Sequence, residues 1–546
     1  MKHLLQHFKT LSKHPQNAEE LKSLILDLAL RGKLTNDFNK ERIQSIADKT
    51  EGYYELPADW YWDEFDNLVD FQMGKTPPSK RFEFWEGDHP WISIADMDTY
   101  KTIYETKKTL SDLGLKNYFK NGLVKQGTLI MSFKLTIGKT SILGVDACHN
   151  EAIISIYPGN EITQDYLFRF LPIISNWGVQ VNALMGKTLN KGKIQRLKIP
   201  VPPLEEQKAI VEIVNKLFKE VEQLEEQTKT RIQLKKDFAT SALQRLSQAD
   251  NLEQEWQWLQ SHFTEFFTEK ENVKQLRDAI LQLAVQGKLT SKWRARHPEF
   301  VSGPHHASEL LKRIQTEKQA LIAQKKIKKE KPLPPITKED IPYELPEGWV
   351  WCRLQDLVNV GTGSTPPKSN SSYYNGTIPW YTSSATNDLY AKESEKLITE
   401  KALQETNCKV FPKGTLIIAM YGQGKTRGQI SELVIPGATN QAVAAMVFYK
   451  TSKDFKEYIK YFFRKIYDEI RLLAEGGAQP NLNVGKIKNT ILPLPPLEEQ
   501  KAIVEKVNAL MALCDSLEEH IENSHTQITQ LMQSCLREVF EERVSA

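Results

Sequence analysis

The chain has 546 residues, 40% of them hydrophobic and 26% charged, with a formal net charge of +3 and five cysteines. That length exceeds one compact core, and the composition is ordinary for a water-soluble globular protein. The near-neutral charge excludes a chain that grips nucleic acid by bulk charge alone, because phosphate contacts supply most non-specific affinity.

No apolar run approaches the ~18 residues that a membrane span needs, so no membrane association is expected. The opening MKHLLQHFKTLSKH scatters charges and lacks the apolar core of a secretory signal. The cysteines form no CxxC pair, which fits a reducing compartment and excludes a zinc ribbon; a cytoplasmic protein is expected.

In chain order, residues 1–50 read as an N-terminal helical segment containing LKSLILDLALRGKLT (21–35). A first block, residues 51–199, opens on YELPADWYW (54–62) and GKTPP (74–78). Within it TLIM and AIISIY predict buried strands, and DYLFRFLPII predicts an amphipathic helix. PPLEEQKAIVE (202–212) starts a long helix within residues 200–250: Pro203 suits the first turn, and Glu205 and Glu206 suit the positive end of the dipole.

Residues 251–342 form a second helical segment with LRDAILQLAVQGKLT (276–290) and the basic run QKKIKKEKPLPP (324–335), read as a solvated helix end and linker. A second block, residues 343–492, opens on YELPEGWVW (343–351) and GSTPP (363–367). Its TLIIAM and AVAAMVFY predict strands, and DFKEYIKYFFRKI predicts a helix. A distal long helix, residues 493–546, begins with PPLEEQKAIVE again (495–505).

Six phrases besides PPLEEQKAIVE recur in the same order, including KQGTLIM and PKGTLII, NEA and NQA, and Leu189-Asn190 and Leu482-Asn483 before GKI, so the chain is an internal duplication. The frame is shared and the loops are not.

In the distal helix Ile503, Val507, Leu510, Cys514, Leu517, Ile521, Ile528, Leu531 and Cys535 follow 4-3 spacing, with Ser524 polar. In the central helix Ile210, Val214, Leu217, Val221 and Leu224 keep that register, Thr228, Arg231 and Lys235 interrupt it, and Phe238 and Ala242 resume it. Such seams predict a coiled coil, antiparallel if the halves are related by a pseudo-twofold axis. The expected fold is α+β: two pseudo-twofold-related α/β domains separated by two long antiparallel coiled-coil helices.

Catalytic motifs fail on inspection. YGQGKT (421–426) would need glycine at Ala419 to be a P-loop, and the other copy has Phe133 there. The chain has no HExxH, no GxSxG and no paired-ligand metal spacing, so no catalytic or metal-binding residue is assigned. A methyltransferase or nuclease carrying its own specificity domains would need a cofactor loop. A plain coiled-coil adaptor leaves the differing loops unexplained. Two variable modules on a helical ruler suit a ligand read at two fixed places, and B-DNA offers grooves that recur every ~34–36 Å.

At this point the sequence resembles the specificity subunit of type I restriction-modification systems. The resemblance rests on the twice-used PPLEEQKAIVE, the LxxLILxLAxxGKLT segment, the ELPxxWxW entry and the GxTP loop. It implies two target recognition domains, each reading one half of an asymmetric bipartite site in double-stranded DNA. It implies assembly with two methylation subunits, which carry S-adenosylmethionine and modify adenine, and up to two restriction subunits that use ATP with Mg. It implies no catalysis and no cofactor in this chain.

Base-reading residues vary within the family, so candidates are chosen by chemistry: Arg or Lys for guanine, Asn or Gln for adenine. After the first GxTP phrase these are Lys75, Thr76, Ser79, Lys80 and Arg81; after the second, Ser364, Thr365, Lys368, Ser369 and Asn370. Next come the paired loops with Lys134, Lys139 and Thr140, and with Tyr421, Gln423, Lys425 and Arg427.

Overall fold

The computed structural model describes residues 17–35, 53–134, 136–177, 189–249, 251–394, 396–422, 425–449, 452–475 and 482–541. The chain divides into two units, Met1–Arg231 with Gln527–Ala546, and Ile232–Thr526. Each holds one α/β block, so the class is α+β as expected.

In the first unit α1 (Asn17–Leu30) precedes β1 (Tyr61–Glu64), β2 (Val69–Met73), β3 (Trp85–Ile92), β4 (Lys101–Ile103), β5 (Lys108–Leu110), β6 (Leu129–Ser132), β7 (Thr140–Leu143), β8 (Cys148–His149) and β9 (Ile153–Pro158). Then come α2 (Gln164–Trp177), β10 (Lys198–Val201) and the long α3 (Leu204–Gln248). The main sheet runs β2-β9-β6-β7-β4, a smaller sheet runs β5-β3-β8, and β1 pairs with β10 antiparallel.

TLIM and AIISIY fall in β6 and β9, and both are continuous apolar runs because both sheet faces are covered. Leu129, Met131, Ile154 and Ile156 face a core with Tyr166 and Phe170 of α2. Ile130 and Ile153, on the other face, enter a cluster with Ile92, Met97 and Leu143. Full burial of such a side chain stabilises by roughly 1.5–3 kcal/mol.

The second unit repeats this plan. It comprises α4 (Lys270–Val285), β11 (Val350–Arg353), β12 (Val358–Thr362), β13 (Tyr374–Tyr381), β14 (Tyr390–Ala391), β15 (Leu397–Ile398), β16 (Val410–Phe411), β17 (Leu416–Ala419), β18 (Ile430–Leu433), β19 (Gly437–Thr439) and β20 (Val443–Phe448). These are followed by α5 (Lys453–Lys465), β21 (Ile491–Leu494) and α6 (Leu497–Glu541). The sheets run β12-β20-β17-β18-β14 and β15-β13-β19-β16, with β11 paired to β21. One strand differs: β16 is a ladder strand, whereas the first block has only the Val124–Ala147 bridge there.

The repeated phrases meet at one buried point in each unit. GKLT closes α1 through Gly32 at φ 66°, with Lys33 N–H on the Leu28 carbonyl and Gly32 N–H on that of Ala29. Gly287, at φ 68°, closes α4 in the same way. Three residues after each glycine a threonine hydroxyl donates to a glutamate in the first turn of the long helix: Thr35 to Glu206 at 2.6 Å and Thr290 to Glu499 at 2.6 Å. The ELPxxW tryptophan donates to the same carboxylate, Trp60 to Glu206 at 3.0 Å and Trp349 to Glu499 at 2.7 Å. In the second unit Arg294 also joins Glu499. Burial nonetheless holds the Glu499 carboxyl above the ordinary carboxylate range.

Each long helix contributes to both units. In the first, Val221 of α3 and Leu531 of α6 join one cluster with Leu21 and Leu24 of α1. In the second, Ala239, Ala242, Leu243 and Leu246 of α3 share a core with Ile503, Val507, Cys514 and Ile521 of α6. The early half of each helix thus shares a core with the late half of the other, as an antiparallel pair does.

The expected seam needs two corrections. Phe218 and Met511 are buried beside half-buried Leu217 and Leu510, because the stripe follows the 3.6 period of a straight helix over these turns. Thr228, expected to interrupt the seam, is itself buried; Arg231 is exposed.

The basic run is not a loose linker. Glu330 within it bonds Lys318 at 2.8 Å and Lys488 at 2.6 Å, and the Pro334 carbonyl accepts from Arg353 at 3.2 Å. Its lysines 325, 326, 328, 329 and 331 remain exposed.

Candidate nucleic-acid interface

Three segments meet at one edge of each block. The first is the GxTP loop, which leaves β2 or β12. It is held against the Asn-x-Ala turn that precedes β9 or β20, because a Cβ on Gly74 would lie 2.0 Å from the His149 carbonyl and one on Gly363 would lie 1.7 Å from that of Thr439. Only glycine permits this approach. A buried tryptophan ties each loop from behind: Trp91 Nε1 donates to the Lys75 carbonyl at 3.1 Å and Trp380 Nε1 to the Ser364 carbonyl at 3.1 Å.

The Asn-x-Ala turn is the second segment. Asn150 and Asn440 each accept from the backbone N–H two residues on, at 3.0 Å. The middle residue, Glu151 or Gln441, is exposed and accepts the hydroxyl of the GxTP threonine, Thr76 or Thr365. The third segment follows β6 or β17, where Phe133 N–H bonds the Ala152 carbonyl at 2.9 Å and Met420 N–H bonds that of Ala442 at 2.8 Å. The scaffold is the same twice.

The tips differ. In the first block Lys75, Thr76, Ser79, Lys80 and Arg81 are all exposed; Arg81 lies 3.5 Å from Glu83 and over the Phe84 ring. In the second, Lys368 and Ser369 are exposed, Ser364 and Thr365 are half-buried, and Asn370 accepts the Ser372 N–H at 3.1 Å. Tyr374 bonds the Pro366 carbonyl at 2.5 Å, where the first block uses Trp85 on the Pro78 carbonyl at 3.2 Å. These bonds fix the loop backbones and leave the exposed tips to approach a ligand.

The third segment is more divided. Lys134 reaches over the Phe133 ring, and Tyr421 and Lys425 are exposed, with Arg427 half-buried. Tyr467 donates its hydroxyl to the Lys425 carbonyl. Gln423 lies outside the described residues. Lys139 turns inward, its ammonium on the Met97 carbonyl at 2.8 Å.

Thr140 is a correction. It is fully buried, and its hydroxyl donates to the Phe168 carbonyl at 2.9 Å. Pro172, inside α2, has no N–H to give that carbonyl, so Thr140 supplies the missing donor. Its place is in the packing of the block, out of reach of a base edge.

Sequence reasoning missed Glu151, Gln441, Trp91 and Trp380. The signal was present: invariant flanks around a differing centre in NEA and NQA, and a tryptophan equally spaced after each GxTP. Beneath the first loop lies buried His149, Nε2 within 3.0 Å of Ser155 Oγ and Nδ1 within 3.3 Å of the Asn150 carbonyl. Burial lowers its pKa to about 4. The second block has Thr439 in that place.

Among the described residues no helix is long and apolar enough to cross a membrane. The chain is 27% identical to the EcoAI type I restriction enzyme specificity subunit of Escherichia coli, over 91% of this chain and 90% of that one. It is 26% identical to the EcoEI specificity subunit of the same species, over 94% and 92%. A chain solved in work on complex assembly and conformational transition of the type I R-M system superposes with a TM-score of 0.50 at 16% identity, covering 89% of this chain and 99% of that one, which shows a shared fold. The family described as type I restriction modification DNA specificity domain matches residues 57–234 and again 346–526, spanning both edges described above. The chain therefore belongs to the type I restriction-modification DNA specificity family and carries its domain twice.

Proposed function

We propose that this chain is the DNA-reading subunit of a cytoplasmic type I restriction-modification complex, binding an asymmetric, bipartite site in duplex DNA. The observation that carries the reading is the pair of loop edges, identical in scaffold and different at the tips. A fixed scaffold positions the reader, and a changed tip changes what is read. The exposed Lys75, Lys80, Arg81, Lys368 and Lys425 supply phosphate or guanine contacts.

The chain itself performs no chemistry. Two methylation subunits supply S-adenosylmethionine and modify adenine, and restriction subunits using ATP and Mg cut. With net charge +3 the free subunit releases few counterions, so specific binding tightens when the methylation subunits join.

The long helices set the gap between the words as a coiled-coil ruler. Each has 45 residues, roughly 65–70 Å of helix at 1.5 Å per residue.

Two experiments test this. Exchanging residues 51–199 for the block of a relative changes one half-site and spares the other, read by mapping N6-methyladenine; a change in both words overturns the two-reader assignment. Inserting four residues after Thr230 lengthens the gap and leaves the words intact; an unchanged gap in an active variant ends the ruler.

A further inference from the structure

We propose that the middle residue of each Asn-x-Ala turn reads one base: Glu151 a cytosine in the first half-site, Gln441 an adenine in the second. This rests on the DNA-reading role argued above and adds to it a residue and a letter for each word.

Position comes first. Each residue is exposed where the three segments converge, next to an alanine whose carbonyl anchors the segment after β6 or β17. Within the turn that fixes the other two segments, it is the residue whose side chain is exposed. Orientation comes second. The GxTP threonine donates its hydroxyl to the Glu151 carboxylate in one block and to the Gln441 side-chain oxygen in the other. A threonine common to both copies thus aims a residue that differs between them, which is how a shared frame presents different letters.

Chemistry decides the letters. The first edge carries the cations Lys75, Lys80, Arg81 and Lys134, with Glu83 already beside Arg81. A carboxylate placed there is repelled by every phosphate and accepts hydrogen bonds only, so it is stabilised at a DNA surface only opposite a donor. The major groove offers amino donors on cytosine and adenine. Adenine sets its N7 lone pair beside N6 and repels a second carboxylate oxygen, which leaves cytosine N4. Gln441 keeps a second lone pair on the oxygen that Thr365 bonds, and an amide donor. Together these match adenine N6–H and N7.

The test uses the full chain assembled with its methylation subunits and a pool of randomised duplexes from which bound DNA is selected and sequenced. Glu151→Gln is expected to move one position of the first half-site from cytosine towards adenine, with discrimination changed about ten- to a hundredfold. Gln441→Glu should do the reverse in the second. In each variant the unaltered half-site reports that the protein is folded and assembled. Thr76→Val and Thr365→Val should blur the same positions less strongly.

Unchanged words in variants that still bind would overturn the inference, as would a loss of affinity equal across all sequences, which would leave Glu151 only a loop fastener. The block exchange runs in parallel. If it changes a word while Glu151→Gln does not, only this inference falls; if neither does, the parent reading falls with it.

Discussion

At the base of each block a carboxylate is buried under a tryptophan and a threonine; at the edge, a turn of identical backbone holds glutamate in one block and glutamine in the other. The buried group keeps the same threonine and tryptophan in both blocks, with Arg294 on Glu499 in the second, while the exposed loops differ at nearly every tip. A buried carboxylate needs every partner it has, so little can vary around it. A solvated tip needs none, and is open to be fitted to a ligand. The buried half of this comparison is therefore where substitutions cost stability, and the exposed half where they change a word.

The largest effect should come from removing the carboxylates. Glu499→Ala strands a half-buried guanidinium as well as two neutral donors and should destabilise the second unit by about 2–4 kcal/mol. Glu206→Ala strands Thr35 and Trp60, at about 1–3 kcal/mol in the first. Hydrogen-exchange protection of the sheets in each unit under urea measures the two separately; equal losses would deny Arg294 its part.

Acid should separate the blocks next. His149 is held neutral, its pKa lowered to about 4 from an ordinary 6.5. Between those values the unfolded chain takes a proton that the native block refuses. The stability is intact above the unfolded value and is lost as pH falls through this window, by up to about 3 kcal/mol. His149→Thr, which copies the second block, should flatten the pH profile of the first unit. A profile unmoved by that substitution would remove His149 as its cause.

Gly74→Ala and Gly363→Ala sharpen the comparison at the edge. A Cβ at either position meets a backbone carbonyl, so each should cost about 1–3 kcal/mol and blur only the half-site of its own block. Duplex selection with the assembled complex reads this; blurring of both words would contradict independent readers. The smallest effect is Thr140→Val, about 1 kcal/mol from the Phe168 carbonyl left without its donor, with no letter changed.

Much of the fold was legible because duplication doubles every signal. The strands around Ile130 and Ile417 and the helices around Phe170 and Phe462 lie where apolar period placed them. The edge was legible only as loops. Lys80 and Lys368 look like any solvated lysine in sequence, and Thr140 looks as available as Thr76 until the proline in α2 shows which carbonyl needs it. Thr228 was misjudged because a threonine packs on its methyl when its hydroxyl is satisfied, which heptad counting cannot see. What sequence pattern lacks is long-range pairing, and Thr76 with Glu151 is such a pair.

The antiparallel pairing of β1 with β10, and of β11 with β21, has a consequence for how such chains diversify. Tyr61 lies opposite Val201, and Val350 opposite Leu494, so the backbone enters and leaves each block side by side. In chain terms, all that lies between is a closed loop with its ends already joined. The entropy of closing such a loop grows only with the logarithm of its length, about 0.6 kcal/mol per doubling. A block of quite different size can therefore be spliced between these two strands at little closure cost, provided it keeps the helix, here Tyr166 and Phe170 or Tyr458 and Phe462, that packs on the helices outside. That leaves selection free to act on what the loop contains.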